Sequence, residues 1–433
     1  MGGAALSGGA GGYESAMDLA ARAVAAKSAS RALASAGPEE KAALLRAVAA
    51  AIAEREAEIL EANGRDLAAA EAAGLAAPKL ARLRLTPASL AQMRAGLEQI
   101  AAMPDPVHAT TREWTTDAGL RVKKVRCPLG VVCMIYEARP GVTVDAFALC
   151  FKAGNACILK GGREANESNR ALAAIVRERL AAAGLPEDAI VQITTSDREE
   201  IKRLLTLDQH IDLVIPRGGT ELIRFVAEHS RIPTIQHFHG VCHVYVDRAA
   251  DLDMALDIVA TAKTSAPATC NSAECVLVHA DVAQAFLPRL AERLHAEGVT
   301  LRADERSRAS IPSPPPNVEP AGEEDWGREY LDLVLACRVV DSIDGAIDHI
   351  RRHASDHTET IVTGDAGAAE RFLRDVQSSC VLHNASTRFN DGFSLGLGAE
   401  IGISTTRVHA YGPMGVEQLT TERFVVLGSG QTR

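Results

Sequence analysis

The 433-residue chain reads as an α/β protein with helices covering a parallel sheet, and two features predict it. From about residue 126, short β-rich runs alternate with helical periods, the pattern that helical crossovers between parallel strands require. Ahead of them, an Ala-rich segment carries apolar residues at helical spacing and forms a leading helical layer. The length allows two or three domains at roughly 150 residues each.

In chain order, residues 1–14 are a Gly/Ala low-complexity stretch and predict disorder. Residues 15–103 place Leu45, Val48, Ile52 and Ile59 at helical spacing, with breaks expected at Gly37-Pro38, Asn63-Gly64 and Thr86-Pro87. Strands are expected at 131–136, 156–160, 190–194, 213–215 and 244–247. Between the last two, the chain runs from a strand through Gly218-Gly219 into a helix start at Thr220. Such a turn presents backbone N–H groups and the positive end of a helix dipole to a phosphate. An ordinary strand-to-helix turn asks for the same glycines, and no Gly-x-Gly-x-x-Gly or Gly-Lys-Ser/Thr pattern accompanies it, so both readings stand.

Further on, residues 281–297 have helical spacing, and the Pro-rich run 311–317 must be extended loop. Strands at 331–340 and 358–363 flank a helix at 343–352. The closing stretch 391–415 is too rich in Gly for a helix. With Asn384, Ser386, Thr387, Arg388 and His409 around it, this region reads as a binding loop.

A net charge of −10 argues against a nucleic-acid footprint. No apolar run approaches the roughly 18 residues of a membrane span, and the start lacks a signal-peptide pattern, so a soluble cytoplasmic protein without membrane contact is expected. The nine cysteines show no Cys-x-x-Cys pair and no zinc-type Cys/His cluster, which predicts no metal and no disulfide framework.

Among those cysteines, Cys270 stands apart. It lies in the run Lys263-Thr-Ser-Ala-Pro-Ala-Thr-Cys-Asn-Ser-Ala-Glu274, with no bulky apolar neighbour until Val276. The other eight lie in or beside apolar runs, where burial accounts for them. A thiol with an ordinary pKa near ~8.5 needs modest help to ionise, and its thiolate attacks acyl carbons and leaves well. Cys270 is therefore the candidate nucleophile, against the alternative of a small buried residue.

Several ordered runs together resemble a known family. They are Pro128-Leu-Gly-Val-Val-Cys-Met-Ile-Tyr-Glu-Ala-Arg-Pro140, Lys152-Ala-Gly-Asn-Ala-Cys-Ile-Leu-Lys-Gly-Gly162, Ile215-Pro-Arg-Gly-Gly219 and Gly240-Val-Cys-His-Val-Tyr-Val-Asp247, followed by Pro267-Ala-Thr-Cys-Asn271, Asn384-Ala-Ser-Thr-Arg-Phe389, Gly396-Leu-Gly-Ala-Glu400 and Gly412-Pro-Met-Gly415. The chain resembles the γ-glutamyl phosphate reductases of the aldehyde dehydrogenase superfamily from about residue 15 to near its C-terminus. From that extent, no fused glutamate kinase is expected.

The resemblance implies an aldehyde dehydrogenase-like fold: a Rossmann-like NADP-binding domain at 15–106 and 126–247, an α/β catalytic domain at 248–395, and a small β oligomerisation element at 107–125 with 396–433. It implies reduction of L-glutamyl 5-phosphate by NADPH through a thioester on Cys270, in proline biosynthesis. The implied partners are this substrate, a glutamate kinase supplying it, and further copies of the chain in a dimer or tetramer. A phosphate-dependent or CoA-dependent aldehyde dehydrogenase of other substrate, using the same cysteine, is the second enzyme reading. A fold-retaining binding or assembly protein is the non-enzyme one.

For the cofactor, the resemblance points to Lys160 near the adenosine ribose, to Arg217, Gly218, Gly219 and Thr220 at the pyrophosphate, and to Glu329 at the nicotinamide ribose. For the substrate it points to Arg139, Lys263 and Arg388 as cations for its anionic groups, with Asn155, Asn384 and Thr387 as hydrogen-bond partners. Hydrolytic relatives carry a water-activating Glu ahead of the cysteine. The matching run here is Gln236-His-Phe-His-Gly240, which sets His237 near that place and no carboxylate, as phosphate exchange rather than hydrolysis requires. The family's oxyanion Asn is replaced by Ala138, leaving backbone N–H groups around Cys270 or the Asn271 side chain to serve.

Overall fold

The computed structural model describes residues 16–236 and 239–432. The expected disordered start, 1–14, and His237 lie outside the described residues. The chain divides into two compact units: 1–218 with 225–234 and 419–433, and 219–224 with 235–418.

In the first unit the helical layer comprises Ala16–Leu33, Pro38–Glu54, Glu56–Ala72, Ala77–Leu83 and Pro87–Ala102. Pro38 and Pro87 each open a helix, where the missing N–H leaves no bond unmade. Thr86 caps the last of them, its Oγ1 accepting from the Ser89 N–H at 3.1 Å. The break expected at Asn63-Gly64 is absent; both residues lie inside Glu56–Ala72. Tertiary bonds override the local preference there. Asn63 is buried, donating to the Leu83 carbonyl at 2.9 Å and Ser168 Oγ at 3.1 Å and accepting from the Leu85 N–H at 2.8 Å.

Beside these helices stands a four-stranded parallel sheet, in the spatial order Ile190–Gln192, Ala156–Lys160, Val131–Tyr136, Leu213–Arg217. Val131–Tyr136 and Ala156–Lys160 are buried throughout, as strands covered on both faces must be. The chain works outward from Val131–Tyr136 to Ile190–Gln192, then returns to place Leu213–Arg217 on the other side. That reversal is the switch point at which open α/β sheets bind ligands, beyond the carboxyl ends of their strands. A second, antiparallel sheet runs Thr110–Thr115, Arg121–Pro128, Thr420–Leu427.

The second unit is built on seven parallel strands in the order Val318–Pro320, Thr300–Ala303, Val334–Val340, Ala273–His279, Cys242–Val246, Thr358–Val362, Cys380–His383. Side chains alternate across it. Val244, Val246, Val276 and Val278 pack with Phe286, Leu287 and Leu290 on one face. Tyr245, Cys275 and Leu277 pack with Ile347, Ile350 and Phe372 on the other. Cys242–Val246 pairs within this sheet, and the second compact unit takes up the chain again from Ile235. Residues 396–418 likewise belong to the second unit, and the antiparallel sheet takes its third strand only from Thr420 onward. Among the described residues, no helix is long and apolar enough to cross a membrane.

Candidate active site

Cys270 lies in the short connection between the helix Leu252–Thr264 and the strand Ala273–His279, and its side chain is partly exposed. The Ser272 N–H closes a tight turn onto the Thr269 carbonyl at 3.0 Å. Arg388 braces this turn, Nη1 donating to Thr269 Oγ1 at 2.8 Å and Nε to Ser265 Oγ at 3.3 Å. Asn271 Nδ2 donates to the Asn390 carbonyl at 3.0 Å and to the Arg388 carbonyl at 3.4 Å, and Asn271 Oδ1 lies 3.0 Å from Thr269 Oγ1. With its amide so engaged, Asn271 fixes the turn instead of standing open to an oxyanion. Thr387, adjacent to Arg388, is buried, and its Oγ1 has no hydrogen-bond partner among the described residues.

From the other side the turn is held by Gly240 and Cys242. A Cβ built on Gly240 would lie 2.0 Å from the Cys270 carbonyl oxygen and 2.9 Å from its Cα, so only glycine fits. Cys242 Sγ donates to that same oxygen at 3.2 Å. The Gly240 N–H in turn donates to Glu329 Oε1 at 2.7 Å. Burial raises the Glu329 carboxyl above its ordinary range, and the Gly240 N–H works against that rise. Gly240, Cys270 and Glu329 all precede strands, so these candidate site residues gather at the amino edge of the unit's parallel sheet.

Two residues expected to meet substrate have protein partners in this unit. Lys263 is fully buried, its Nζ donating to Glu274 Oε2 at 2.7 Å, a partner likewise without exposure. Asn384 turns its amide onto the end of the neighbouring strand, accepting from the Thr363 N–H at 2.9 Å and donating to the Thr363 carbonyl at 3.0 Å. Its φ of 54° is in the left-handed region that Asn tolerates.

In the first unit, Lys160 ends its strand buried, Nζ donating to the carbonyl of Gly161. Burial lowers its pKa, and Glu164 opposes the shift. Arg217 ends the strand across the switch point, its carbonyl accepting from the Glu137 N–H at 3.2 Å. Gly218 follows, exposed; Gly219, also exposed, and Thr220, which opens the helix Thr220–His229, are counted with the second unit. A Cβ at Gly219 would meet nothing within 4 Å, so its smallness answers no need of the protein's own packing. Arg139 is exposed just ahead of the helix Gly141–Lys152. Asn155 is buried, accepting from the Gly130 N–H at 2.9 Å and donating to the Leu419 carbonyl at 2.8 Å, and so ties backbone segments together. The Ala138 N–H donates to Glu164 Oε1 at 3.1 Å.

Sequence reasoning passed over a buried cluster behind the strand Cys242–Val246. His243 and Cys275 are register partners on adjacent strands, and the ligating atoms of His243, Cys275 and His349 lie within 4.8 Å of one another. His243 Nδ1 bonds Glu359 Oε2 at 2.9 Å, and its Nε2 has no partner among the described residues. Arg338 Nη1 stands 3.3 Å from His349 Nδ1, and a guanidinium only donates, so that ring carries its proton on Nε2, 3.8 Å from Cys275 Sγ. The ring therefore offers the thiol a donor, as part of a hydrogen-bonded core network.

The aldehyde dehydrogenase family model matches residues 11–308. The chain is 52% identical over 408 residues to the gamma-glutamyl phosphate reductase of Nitratidesulfovibrio vulgaris strain DP4, covering 94% of this chain and 97% of that one. It is 50% identical over 417 residues to the protein of the same name from Xanthomonas campestris pv. campestris strain 8004, covering 96% and 100%. The crystal structure of gamma-glutamyl phosphate reductase from Thermotoga maritima superposes with a TM-score of 0.93 at 40% identity, over 96% of this chain and 99% of the other.

Proposed function

From a chain that belongs to the γ-glutamyl phosphate reductases of the aldehyde dehydrogenase family, we propose the reduction of L-glutamyl 5-phosphate to L-glutamate 5-semialdehyde, a step of proline biosynthesis. The observation that carries it is the seating of Cys270 on a small-residue turn, wedged against Gly240 and braced by Arg388.

The Cys270 thiolate attacks the acyl carbon, and the C–O bond to phosphate breaks, leaving a thioester on Sγ. NADPH, when bound, supplies the hydride that reduces this acyl carbon. Collapse of the resulting hemithioacetal breaks the C–S bond, returns the thiolate and frees the aldehyde. One acyl phosphate, one NADPH and one proton thus give aldehyde, NADP and inorganic phosphate. The run Gln236–Gly240 supplies no carboxylate to activate water, so the thioester is spared hydrolysis and exchanges with phosphate instead.

The cofactor residues are Arg217, Gly218, Gly219 and Thr220 at the pyrophosphate, Lys160 at the adenosine ribose and its 2′-phosphate, and Glu329 at the nicotinamide ribose. The open glycine pair at a helix start, beside the switch point, suits a pyrophosphate. Arg388, Arg139 and Thr387 are the proposed substrate contacts, and the charge of Lys160 favours NADP over NAD. We place the enzyme in the cytoplasm, supplied with substrate by a glutamate kinase, as a homo-oligomer joined through the antiparallel sheet. Nine free thiols suit a reducing compartment, and the exposed Phe424 and Val426 suit an interface.

The test is the reverse assay, in which glutamate 5-semialdehyde reduces NADP with and without inorganic phosphate. Turnover that depends on phosphate is expected; a rate indifferent to phosphate would mean hydrolysis and remove this reading.

A further inference from the structure

We propose that Lys263 and Glu274 are positioning residues for the turn that carries Glu329, and through it for the nicotinamide nucleotide, rather than contacts of the acyl substrate. This rests on the cofactor role proposed above for Glu329.

The turn after Glu329 passes through Leu331. That residue has φ of 55°, in the left-handed region that a branched L residue rarely adopts, and its side chain is exposed, so its own packing does not hold it there. What holds it is Glu274, whose Oε1 accepts from the Leu331 N–H at 3.3 Å. The other oxygen of that carboxylate receives Lys263 Nζ at 2.7 Å, with both side chains wholly buried.

Two residues before Leu331, Glu329 accepts from the Gly240 N–H, and Gly240 lies against the Cys270 carbonyl. Cys270 is itself four residues ahead of Glu274. The contacts therefore close a ring: Cys270, Gly240, Glu329, Leu331, Glu274 and back along the chain to Cys270. Lys263 neutralises the one buried carboxylate that fastens Leu331 into that ring.

A buried ion pair of this kind is a poor device for stability, because desolvation offsets its attraction. Burial accordingly pulls Lys263 down and Glu274 up, each against the pull of the other. Its value is geometric: a lysine fixes which way the carboxylate turns, and so where the Leu331 N–H and the Glu329 side chain come to rest.

The experiment compares four full-length proteins: wild type, Glu274→Leu, Lys263→Met/Glu274→Leu and Lys263→Met/Glu274→Gln. The readouts are a fluorescence titration with NADPH and the Michaelis constants of the reverse assay, with folding checked by thermal unfolding. Loss of the acceptor for Leu331 in the two Leu variants should weaken NADPH binding and raise the NADP Michaelis constant about tenfold, the worth of one hydrogen bond. The constant for glutamate 5-semialdehyde should stay within about twofold of wild type.

The Gln double variant keeps an oxygen facing Leu331 with no buried charge, and should return nucleotide affinity to near wild type. If Glu274→Leu does not fold, the double Leu variant, which strands no charge, carries the comparison. Unchanged NADPH affinity in a folded Leu variant would overturn the proposal. So would a Gln double variant whose defect lies in the semialdehyde constant, since Lys263 would then touch substrate. Wild type that binds NADPH but turns over without phosphate dependence would sink the proposed reaction alone, because the titration does not need that reaction.

Discussion

The α-carbon of Gly240 is pressed so close to Cys270 that an added methyl would stand 2.0 Å from the Cys270 carbonyl oxygen. The backbone of the proposed nucleophile is thereby used as a packing surface. Gly240→Ala must push the Cys270 turn outward, at a cost of about 1–3 kcal/mol in stability from overpacking alone. The expected result is a folded protein of lower melting temperature whose kcat falls far more than its NADPH affinity.

Cys270→Ser should reduce turnover to background while NADPH titrates as in wild type, since a hydroxyl at that position neither ionises nor leaves as a thiolate does. Mass spectrometry after a short exposure to acyl phosphate should find an acyl adduct on wild type and none on the variant. An adduct on another cysteine would reassign the nucleophile.

Lys160→Ala removes a buried ammonium at the end of its strand. The NADP Michaelis constant should rise by about tenfold or more, with a smaller change in kcat, as expected for a group that binds without touching the reacting atoms. Preference for NADP over NAD should narrow in parallel. An unchanged constant would take Lys160 out of the cofactor site.

Glu274 links pH to stability. Burial pushes its carboxyl up to about 7, above the ordinary range it regains on unfolding, so between those two values the folded state holds the extra proton. Stability from this group is therefore fully present below about pH 4.3 and is lost as pH rises through about 7. Compared with Lys263→Met/Glu274→Gln, which lacks the titration, wild type should lose about 1–3 kcal/mol between pH 5 and 7.5 in urea melts. A constant difference across that range would mean that Glu274 ionises normally.

On the antiparallel sheet, Phe424 is 62% exposed yet meets Trp114 edge-on at 6.1 Å, and Val426 is exposed one strand repeat further on. Phe424→Asp should shift the sedimentation profile toward monomer without unfolding the chain. If wild type itself sediments as a monomer, the sheet has another use.

The fold was legible because parallel strands buried on both faces are written as short uninterrupted apolar runs, and Val131–Tyr136, Ala156–Lys160 and Thr358–Val362 lie within one residue of their expected ends. Cys270 was legible for the opposite reason, the lack of apolar neighbours on its turn. What escaped depends on distance along the chain. Asn63-Gly64 looks like a break until Leu83, Leu85 and Ser168 supply the bonds that hold Asn63 in a helix. Lys263 looks like a free cation until Glu274 is found to share its burial, and Asn155 like a free amide until Gly130 and Leu419 engage it. Gly240 carries no chemistry of its own, so no motif logic singles it out; its need appears only when the Cys270 carbonyl is placed beside it.

The amino-edge location of Cys270, Gly240 and Glu329 has a practical side. At the opposite edge Cys242–Val246 and Thr358–Val362 leave by short connections and Ala273–His279 runs straight into the helix Ala280–Ala296, and none of these residues lies there. Affinity tags, dyes or tethers inserted on that far rim would hold the molecule while leaving the thiol turn and its supports undisturbed. Lengthening the segment that feeds into Ala273–His279 would instead move the proposed nucleophile itself. Immobilisation and fusion designs thus have a preferred side, set by which end of a strand the chemistry occupies.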